Sequence, residues 1–267
     1  MNRKSQSPLI FTSVLVLAVL ACSLGSQAGP EPTDVPSEPQ NPVEPQTTVS
    51  SSAVEGACTN PYFPAVLNAS WTYKSSGTSK GEYLFTDVVA EVRADGFTIS
   101  TDFGDTTKVN EWSCSPEGLQ VYQTGGGDQS AGLSINSGQF QLDATILNAS
   151  GVTLPVTIDP GNQWIQSYDY KTEGNLGGNS MTSTGTVESR FEVLGIESIT
   201  TPAGTFQAVK IREETRENAS GTIGGATLNS SSESITFYWF VEGVGRVRTE
   251  TTGSRTETTE LQAYSIP

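Results

Sequence analysis

The side chains of this sequence that could do chemistry are mainly carboxylates, because the chain contains no histidine. Without histidine, neither a Ser-His-Asp triad nor a Cys-His pair can form, and the commonest ligand of zinc and iron is missing. Paired carboxylates remain, since glycoside hydrolysis needs only two acids at a suitable separation. The candidates are Asp102, Asp105, Glu111 and Glu117. In so acidic a chain we expect most of them to form a solvated surface, and a hydrolase is our third-ranked hypothesis.

Other patterns match known motifs but lack the context that those motifs need. The string from Gly77 to Gly81 reads G-x-S-x-G, whose serine requires a histidine and a strand-turn-helix setting. The glycine clusters at 125–127 and 221–225 lack the lysine and the helix of a phosphate cradle. Asp102 and Asp105 could join loop carbonyls in a calcium site, but no EF-hand spacing is present. We therefore predict no catalytic residue, no metal site and no cofactor.

The cysteines say more about this protein than the carboxylates do, because the first of the three cysteines follows a short apolar run. Arg3 and Lys4 precede the apolar stretch 9–21, and Cys22 comes directly after it. This layout is typical of a bacterial lipoprotein signal peptide. The stretch is also shorter than the roughly 20 residues that span a bilayer. We predict cleavage after residue 21 and lipidation of Cys22; an ordinary secretory signal and an uncleaved membrane anchor are the alternatives.

The other two cysteines, Cys58 and Cys114, form an even pair once Cys22 is set aside. Outside the cytoplasm, the compartment is oxidising and favours a disulfide between them. Such a bond would stabilise the fold by about 4 kcal/mol through the entropy of its loop. Two buried free thiols are the alternative, and a metal site is disfavoured without histidine or further cysteines nearby.

The charge of the chain limits its partners. The formal net charge is −15, and removal of Arg3 and Lys4 with the signal peptide makes it more negative by 2. We expect no nucleic-acid partner, because nucleic-acid binding depends on lysine and arginine neutralising phosphates. Anionic lipid headgroups are repelled too, so we expect the lipid anchor to attach the protein to the membrane. We expect a monomer, since a high net charge keeps proteins apart.

The composition divides the chain into three parts. Residues 1–21 are the predicted signal peptide, and residues 22–57 form a tether rich in Pro, Ser, Thr and Glu. The tether has almost no large apolar residue and no lysine or arginine, so we predict that it is disordered. Extended at about 3.1 Å per residue, it would hold a domain up to ~100 Å from the membrane. The folded part is predicted to be residues 58–267.

The folded part is predicted to be all-β. Short runs rich in Val, Ile, Thr, Tyr and Phe alternate with Gly, Asn and Ser clusters, and turn signals recur every 8–12 residues. Period-two alternation is visible in 206–211, whereas sustained helical periodicity is absent. The Asn-x-Ser sequences at Asn68, Asn148, Asn218 and Asn229 are interpreted as turns.

A weak internal repeat suggests that the fold contains two similar sheet units, 58–147 and 152–267. Trp71 and Trp164 are each followed by Tyr and Lys after a proline and an Asn-containing turn. Trp112 and Trp239 are each followed by Glu-Gly and a valine strand. We predict that the units join in one antiparallel curved sheet or half-barrel. The four tryptophans are interpreted as core anchors, with ligand platforms as the alternative.

The second unit resembles a pattern of uncharacterised bacterial lipoproteins. It has a G-x-x-W-x-Y opening around Trp164, a T-P-A-G-x-F-x-A-x-K-I hairpin at Thr201–Ile211, and a closing strand pair at Tyr238–Val247. These motifs resemble the TapB-like domain, and the half-barrels of LolA and LolB are a second similarity. The resemblance implies a fold and an envelope location, but it carries no catalytic residues.

Two functions from different classes follow from the sequence. The first is a lipid-anchored extracytoplasmic surface protein whose non-catalytic β-domain binds an extracellular or envelope ligand, or acts as a scaffold. The second is a carrier that holds an acyl chain or another apolar ligand in the concavity of a half-barrel. A cavity lined by aromatic and aliphatic residues would favour the carrier, and a filled interior would favour the scaffold.

Overall fold

The structure is a computed structural model that describes residues 58–78, 81–104, 106–122, 134–137, 140–176, 178–253 and 256–267. The described residues belong to one compact unit. Cys22, the predicted signal peptide and the predicted tether up to residue 57 lie outside the described residues, as does Asp105.

The described residues form fourteen strands and contain no helix. The strands are β1 (Ser70–Thr78), β2 (Gly81–Val92), β3 (Gly96–Asp102), β4 (Thr107–Ser115), β5 (Gly118–Val121), β6 (Ser134–Ser137), β7 (Phe140–Ser150), β8 (Leu154–Pro155), β9 (Gln163–Leu176), β10 (Asn179–Thr201), β11 (Gly204–Ile223), β12 (Ala226–Val241), β13 (Gly245–Gly253) and β14 (Glu257–Ser265). In this part of the chain, no helix is long and apolar enough to cross a membrane.

All fourteen strands belong to one antiparallel sheet. Their order is β3-β2-β1-β14-β13-β12-β11-β10-β9-β7-β6-β4-β5-β8, and β3 also pairs with β4. The β3–β4 pairing connects β3, at one end of this series, to β4 near the other end, so the sheet curls around one interior. In chain order β1 is the first strand and β14 the last, and these two strands pair with each other. The other neighbour of β1 is β2.

The longest hairpin, β10–β11, turns at the predicted Pro-Ala-Gly motif. Thr201 pairs with Gly204 across the turn, which leaves Pro202 and Ala203 as its two central residues. Gly204 has a φ of 143°, a conformation that side chains with a Cβ rarely adopt. The pairing then continues without interruption to Val193 and Ile211, where a β-bulge shifts the register. This hairpin supplies one wall of the interior.

Inward-facing residues follow the two-residue period of a strand and form rows across the sheet. One row crosses six strands as a series of direct cross-strand pairs. Its members are Trp164, Phe191, Glu213, Thr236, Thr251 and Glu257. The row changes from aromatic on β9 and β10 to polar on β11 to β14, so this part of the interior has an apolar side and a polar side.

The apolar core is formed by side chains from nearly the whole sheet. Its fully buried members include Phe97, Leu119, Ile211, Val247 and Leu261. A smaller cluster of Tyr168, Tyr170 and Val187 lies on β9 and β10. Burial of such side chains stabilises the fold by about 1.5–3 kcal/mol each.

The prediction of an all-β fold with an antiparallel curved sheet is confirmed. The duplication of units 58–147 and 152–267 stays a prediction, although both segments contribute to the one sheet. The interpretation of the Asn-x-Ser sequences as turns was correct for Asn68, which has a φ of 67°. It was wrong for Asn148, Asn218 and Asn229, which lie within β7, β11 and β12 and pair with neighbouring strands.

Candidate functional site

The interior of the sheet contains a cavity of about 140 Å³. Residues from β1 to β5 form one side of it, and residues from β9 to β13 form the other. An engineered protein cavity of about this size, lined by apolar side chains, binds benzene. The cavity is therefore large enough for one ring.

Aromatic side chains on two parts of the wall give the cavity a rigid apolar lining. On one wall, Trp112 stacks on Phe97 with ring centroids 5.4 Å apart, and Phe63 lies 5.0 Å from Trp112. On the other wall, Trp164 stacks on Phe191 at 5.0 Å with nearly parallel planes. Stacked pairs of this kind contribute about 0.5–1.5 kcal/mol each beyond the burial of their area.

The cavity wall also contains a partly buried ion pair, in which each side chain is 18% exposed. Arg246 Nη2 lies 3.6 Å from Asp87 Oδ2, and Thr101 donates a hydrogen bond of 2.5 Å to Asp87 Oδ1. The guanidinium carbon of Arg246 lies 4.7 Å from the centroid of the Tyr73 ring, which favours the cation. Because both ions are neutralised by the wall itself, the pair shapes the cavity and leaves little net charge there.

Most other polar groups on the wall are also hydrogen-bonded to the protein. The Tyr238 hydroxyl donates to Glu213 Oε2 at 2.6 Å, and the hydroxyls of Ser189 and Thr215 lie 3.1 Å apart. Gln166 donates from Nε2 to the carbonyl oxygen of Val121 at 3.3 Å. Because these groups already form hydrogen bonds within the protein, they do not require a ligand as a partner.

Two polar atoms on the wall differ from the rest, because neither has a hydrogen-bond partner in the part of the chain that the structure describes. They are Asn110 Oδ1, an acceptor, and Trp164 Nε1, a donor. Asn110 is 5% exposed and lies on β4, whereas Trp164 lies on β9 on the other side of the cavity. A buried polar group without a partner costs about 1–3 kcal/mol. The cavity thus presents one donor and one acceptor that a ligand could satisfy.

The predicted core tryptophans on β1, β4 and β9 line this cavity, whereas the two predicted disulfide cysteines do not. Cys58 and Cys114 are joined by a disulfide with Cα atoms 5.0 Å apart, and both contact the apolar core. The bond ties the start of the described domain to β4, the strand that contains Asn110. Cys22, the predicted lipidation site, lies outside the described residues.

The candidate acids named from the sequence do not converge. Asp102 accepts a hydrogen bond from the backbone N–H of Gly104, and Glu111 forms an ion pair of 2.6 Å with Arg93. Glu117 is exposed, and the hydroxyl of Ser115 lowers the pKa of its carboxyl group. None of these three lines the cavity.

The carboxylates that face the interior are different residues, which the sequence analysis did not identify. Asp87 and Glu213 line the cavity, and each is engaged by a hydroxyl donor of the wall. Glu257 is also buried but lies three strands from Glu213 in the same row, roughly 14 Å along the sheet at normal strand spacing. Among the described residues, no group of three or more Cys, Asp or Glu side chains is placed to hold a metal ion.

The alternation of side chains along a strand could have identified these inward-facing polar residues. In β11, Glu213 and Thr215 continue the inward face that Val209 and Ile211 begin. In β4, Asn110 and Lys108 share the face of Trp112. Sequence reasoning assigned polar residues to solvent, and a sheet with a partly polar interior breaks that assumption.

Solved structures similar to this one come from bacteria. A protein described as exported, with a YmcC-like fold, from Bacteroides fragilis has a TM-score of 0.45 and 13% identity over 78% of this chain and 100% of its own. A protein described as a lipoprotein, from Parabacteroides distasonis, has a TM-score of 0.42 and 17% identity over 78% of this chain and 99% of its own. The hypothetical lipoprotein YmcC from Escherichia coli has a TM-score of 0.38 and 10% identity over 75% of this chain and 86% of its own.

No curated protein matches the chain. The family comparison does not reach the first sheet unit, and it does not name the TapB-like domain or the LolA and LolB half-barrels, so those resemblances stay predictions. Residues 151–264, which make up nearly the whole second unit, are similar to the DUF3108-like family.

Proposed function

We propose that this protein is a lipid-anchored, extracytoplasmic binding protein that takes up a small amphipathic ligand in the interior of its β-domain. The observation that carries the proposal is the pair of unpartnered polar atoms, Asn110 Oδ1 and Trp164 Nε1, on the wall of an aromatic cavity. A ligand with an apolar ring, one donor and one acceptor would satisfy both atoms.

The size of the cavity favours a single-ring ligand over a long chain. Its volume of about 140 Å³ is below the roughly 300–1,000 Å³ of pockets that bind drug-sized molecules. A carrier of long acyl chains would need a larger space than this. A purely structural scaffold would not explain the buried polar atoms without partners, because such atoms lower the stability of the fold.

The geometry supports binding rather than catalysis. An enzyme needs a nucleophile or an acid and base that are available to the substrate. The two carboxylates on the cavity wall, Asp87 and Glu213, instead accept hydrogen bonds from Thr101 and Tyr238. They therefore hold neighbouring strands together and leave recognition to the aromatic walls, Asn110 and Trp164.

The anchor and the tether place the binding domain outside the cell membrane in this proposal. Cys22 would carry the acyl chains, and residues 23–57 would hold the domain away from the bilayer. A Cys22→Ser variant should lose its lipid and leave the membrane fraction. Identical detergent partitioning of the variant and the wild type would contradict lipidation.

Native mass spectrometry tests the binding proposal directly. The protein is purified from its own host without denaturation, and its mass is compared before and after denaturation. We expect a bound molecule of one-ring size in the wild type and its loss in an Asn110→Leu variant. A bound long-chain lipid would favour the carrier instead, and equal retention of the molecule by the variant would place it outside this cavity.

A further inference from the structure

We infer that a second site, centred on Glu257 at the polar side of the interior, binds a small hard cation. The site is separate from the aromatic cavity, because Glu257, Thr249 and Thr259 do not line that cavity. It does not depend on the proposed ligand, and it can be tested without one.

Three buried oxygen atoms that have no hydrogen-bond partner among the described residues carry the inference. They are Glu257 Oε2, Thr249 Oγ1 and Thr259 Oγ1. Glu257 is 3% exposed, and the two threonines are equally buried. Among the described residues, no lysine or arginine pairs with the Glu257 carboxylate. A buried carboxylate without a counter-charge is costly, so it requires a cation or further donors.

The register of the strands brings these three oxygens together. Thr249 and Thr259 are direct cross-strand partners on β13 and β14, so their Cβ atoms are about 4.5–5.5 Å apart. Glu257 is two residues from Thr259 on the same face of β14. Its other oxygen, Oε1, accepts a hydrogen bond of 2.6 Å from Ser75, the β1 partner of Thr259. The carboxylate therefore extends toward the two threonine hydroxyls.

The donor set matches the chemistry of a hard cation. Carboxylate and hydroxyl oxygens are the ligands of calcium and magnesium, whereas nitrogen and sulfur favour transition metals. Calcium tolerates irregular geometry, whereas magnesium demands a near-ideal octahedron, so this set fits calcium better. Ser75 and Tyr83 both donate to Oε1, at 2.6 and 2.7 Å, so Oε2 is the oxygen available to the ion.

Thermal unfolding of the full protein with calcium tests the site. The protein is first treated with a chelator, and CaCl₂ is then compared with choline chloride at the same ionic strength, because an acidic protein responds to any cation. Extracellular calcium modules have Kd values up to about 1 mM. At that affinity, 10 mM calcium raises the folded-to-unfolded ratio about tenfold.

Matched variants locate the effect. Glu257→Gln should abolish the calcium-specific stabilisation, and Thr259→Val should weaken it. Glu213→Gln is the control, since Glu213 is a second buried carboxylate, 9% exposed, on the same face and should keep the full effect. If Glu257→Gln fails to fold, the Thr259→Val comparison decides the question.

Terbium luminescence gives a second readout at the site. Tyr83 donates to the Glu257 carboxylate and should sensitise a bound terbium ion, and Tyr83→Phe should reduce the signal. Calcium stabilisation that is equal in Glu257→Gln and the wild type would overturn the inference. Absence of any calcium-specific effect or terbium signal in the wild type would overturn it as well, and would leave an ordered water as the partner of the three oxygens.

Discussion

Replacing Asn110 with leucine should make the protein more stable while removing its ability to bind the ligand. Asn110 is 5% exposed and its Oδ1 atom has no hydrogen-bond partner in the structure. Leucine has the same number of side-chain heavy atoms as asparagine and presents only carbon to the aromatic cavity. The substitution therefore removes a desolvation penalty and deletes no hydrogen bond of Oδ1.

The size of the effect follows from that penalty. An unsatisfied buried acceptor costs about 1–3 kcal/mol, so Asn110→Leu should raise the free energy of unfolding by about that amount. In a domain of 150–250 residues, each kcal/mol corresponds to about 2–4 °C in Tm. A calorimetric or circular dichroism scan of the ligand-free protein resolves such a shift.

Asn60 provides the matched control, because it is the same residue type at nearly the same burial, 6% exposed. Its side chain is satisfied: Nδ2 donates to the carbonyl oxygens of Leu154 and Pro155, and Oδ1 accepts from the N–H of Tyr62 at 2.9 Å. Asn60→Leu should therefore lower the stability by about 1–3 kcal/mol. Equal destabilisation by both substitutions would refute the reasoning, since it would give Asn110 an ordinary structural role.

Three other perturbations test separate features of the fold. Gly185→Ala should destabilise by about 1–3 kcal/mol, because the added Cβ would lie 2.5 Å from the Tyr170 hydroxyl; an unchanged Tm would contradict that contact. Hydrogen bonding from Trp239 is the main cause that lowers the pKa of Glu197, so Glu197→Gln should be less stable than the wild type at pH 7. That difference should fade as the pH falls below about 4.5, the ordinary pKa of the group, and a difference that persists in acid would rule out a charge effect. Reduction of the Cys58–Cys114 bond, which closes a loop across 56 residues, should cost about 4 kcal/mol and lower the Tm by roughly 10 °C, whereas an unchanged Tm would mean that the bond adds no stability.

The strand content could be predicted from the sequence because β-propensity and turn signals act locally. Phe206–Ile211 alternates in a two-residue period, and Pro202 with Gly204 marks the hairpin turn that the structure contains. The length of the strands could not be predicted in this way. The segments around Asn218 and Asn229 are rich in Ser, Thr and Gly, yet they extend as strands because neighbouring strands supply the hydrogen bonds. Tertiary pairing overrides the local preference there.

The site was harder to predict than the fold. Trp164 was singled out from the sequence, but its unpartnered Nε1 atom depends on which side chains surround it. Asn110 gave no signal beyond sharing a face with Trp112, because the sequence does not show that this face is enclosed by β9 to β13. Enclosure depends on the pairing of β1 with β14, which joins the first strand of the chain to the last and which no local pattern encodes.

The most direct test of ligand binding is the indole N–H spectrum of the four tryptophans by two-dimensional ¹H–¹⁵N NMR. Trp71 and Trp239 already donate hydrogen bonds of 2.6 Å, to the carbonyl oxygen of Val244 and to Glu197. A library of single-ring compounds that carry a donor and an acceptor is titrated into the protein. We predict that a binding compound shifts the Trp164 indole resonance and leaves that of Trp239, which does not line the cavity, in place. A Trp164 resonance that no compound moves, or binding that shifts only the other indoles, would contradict the interior site.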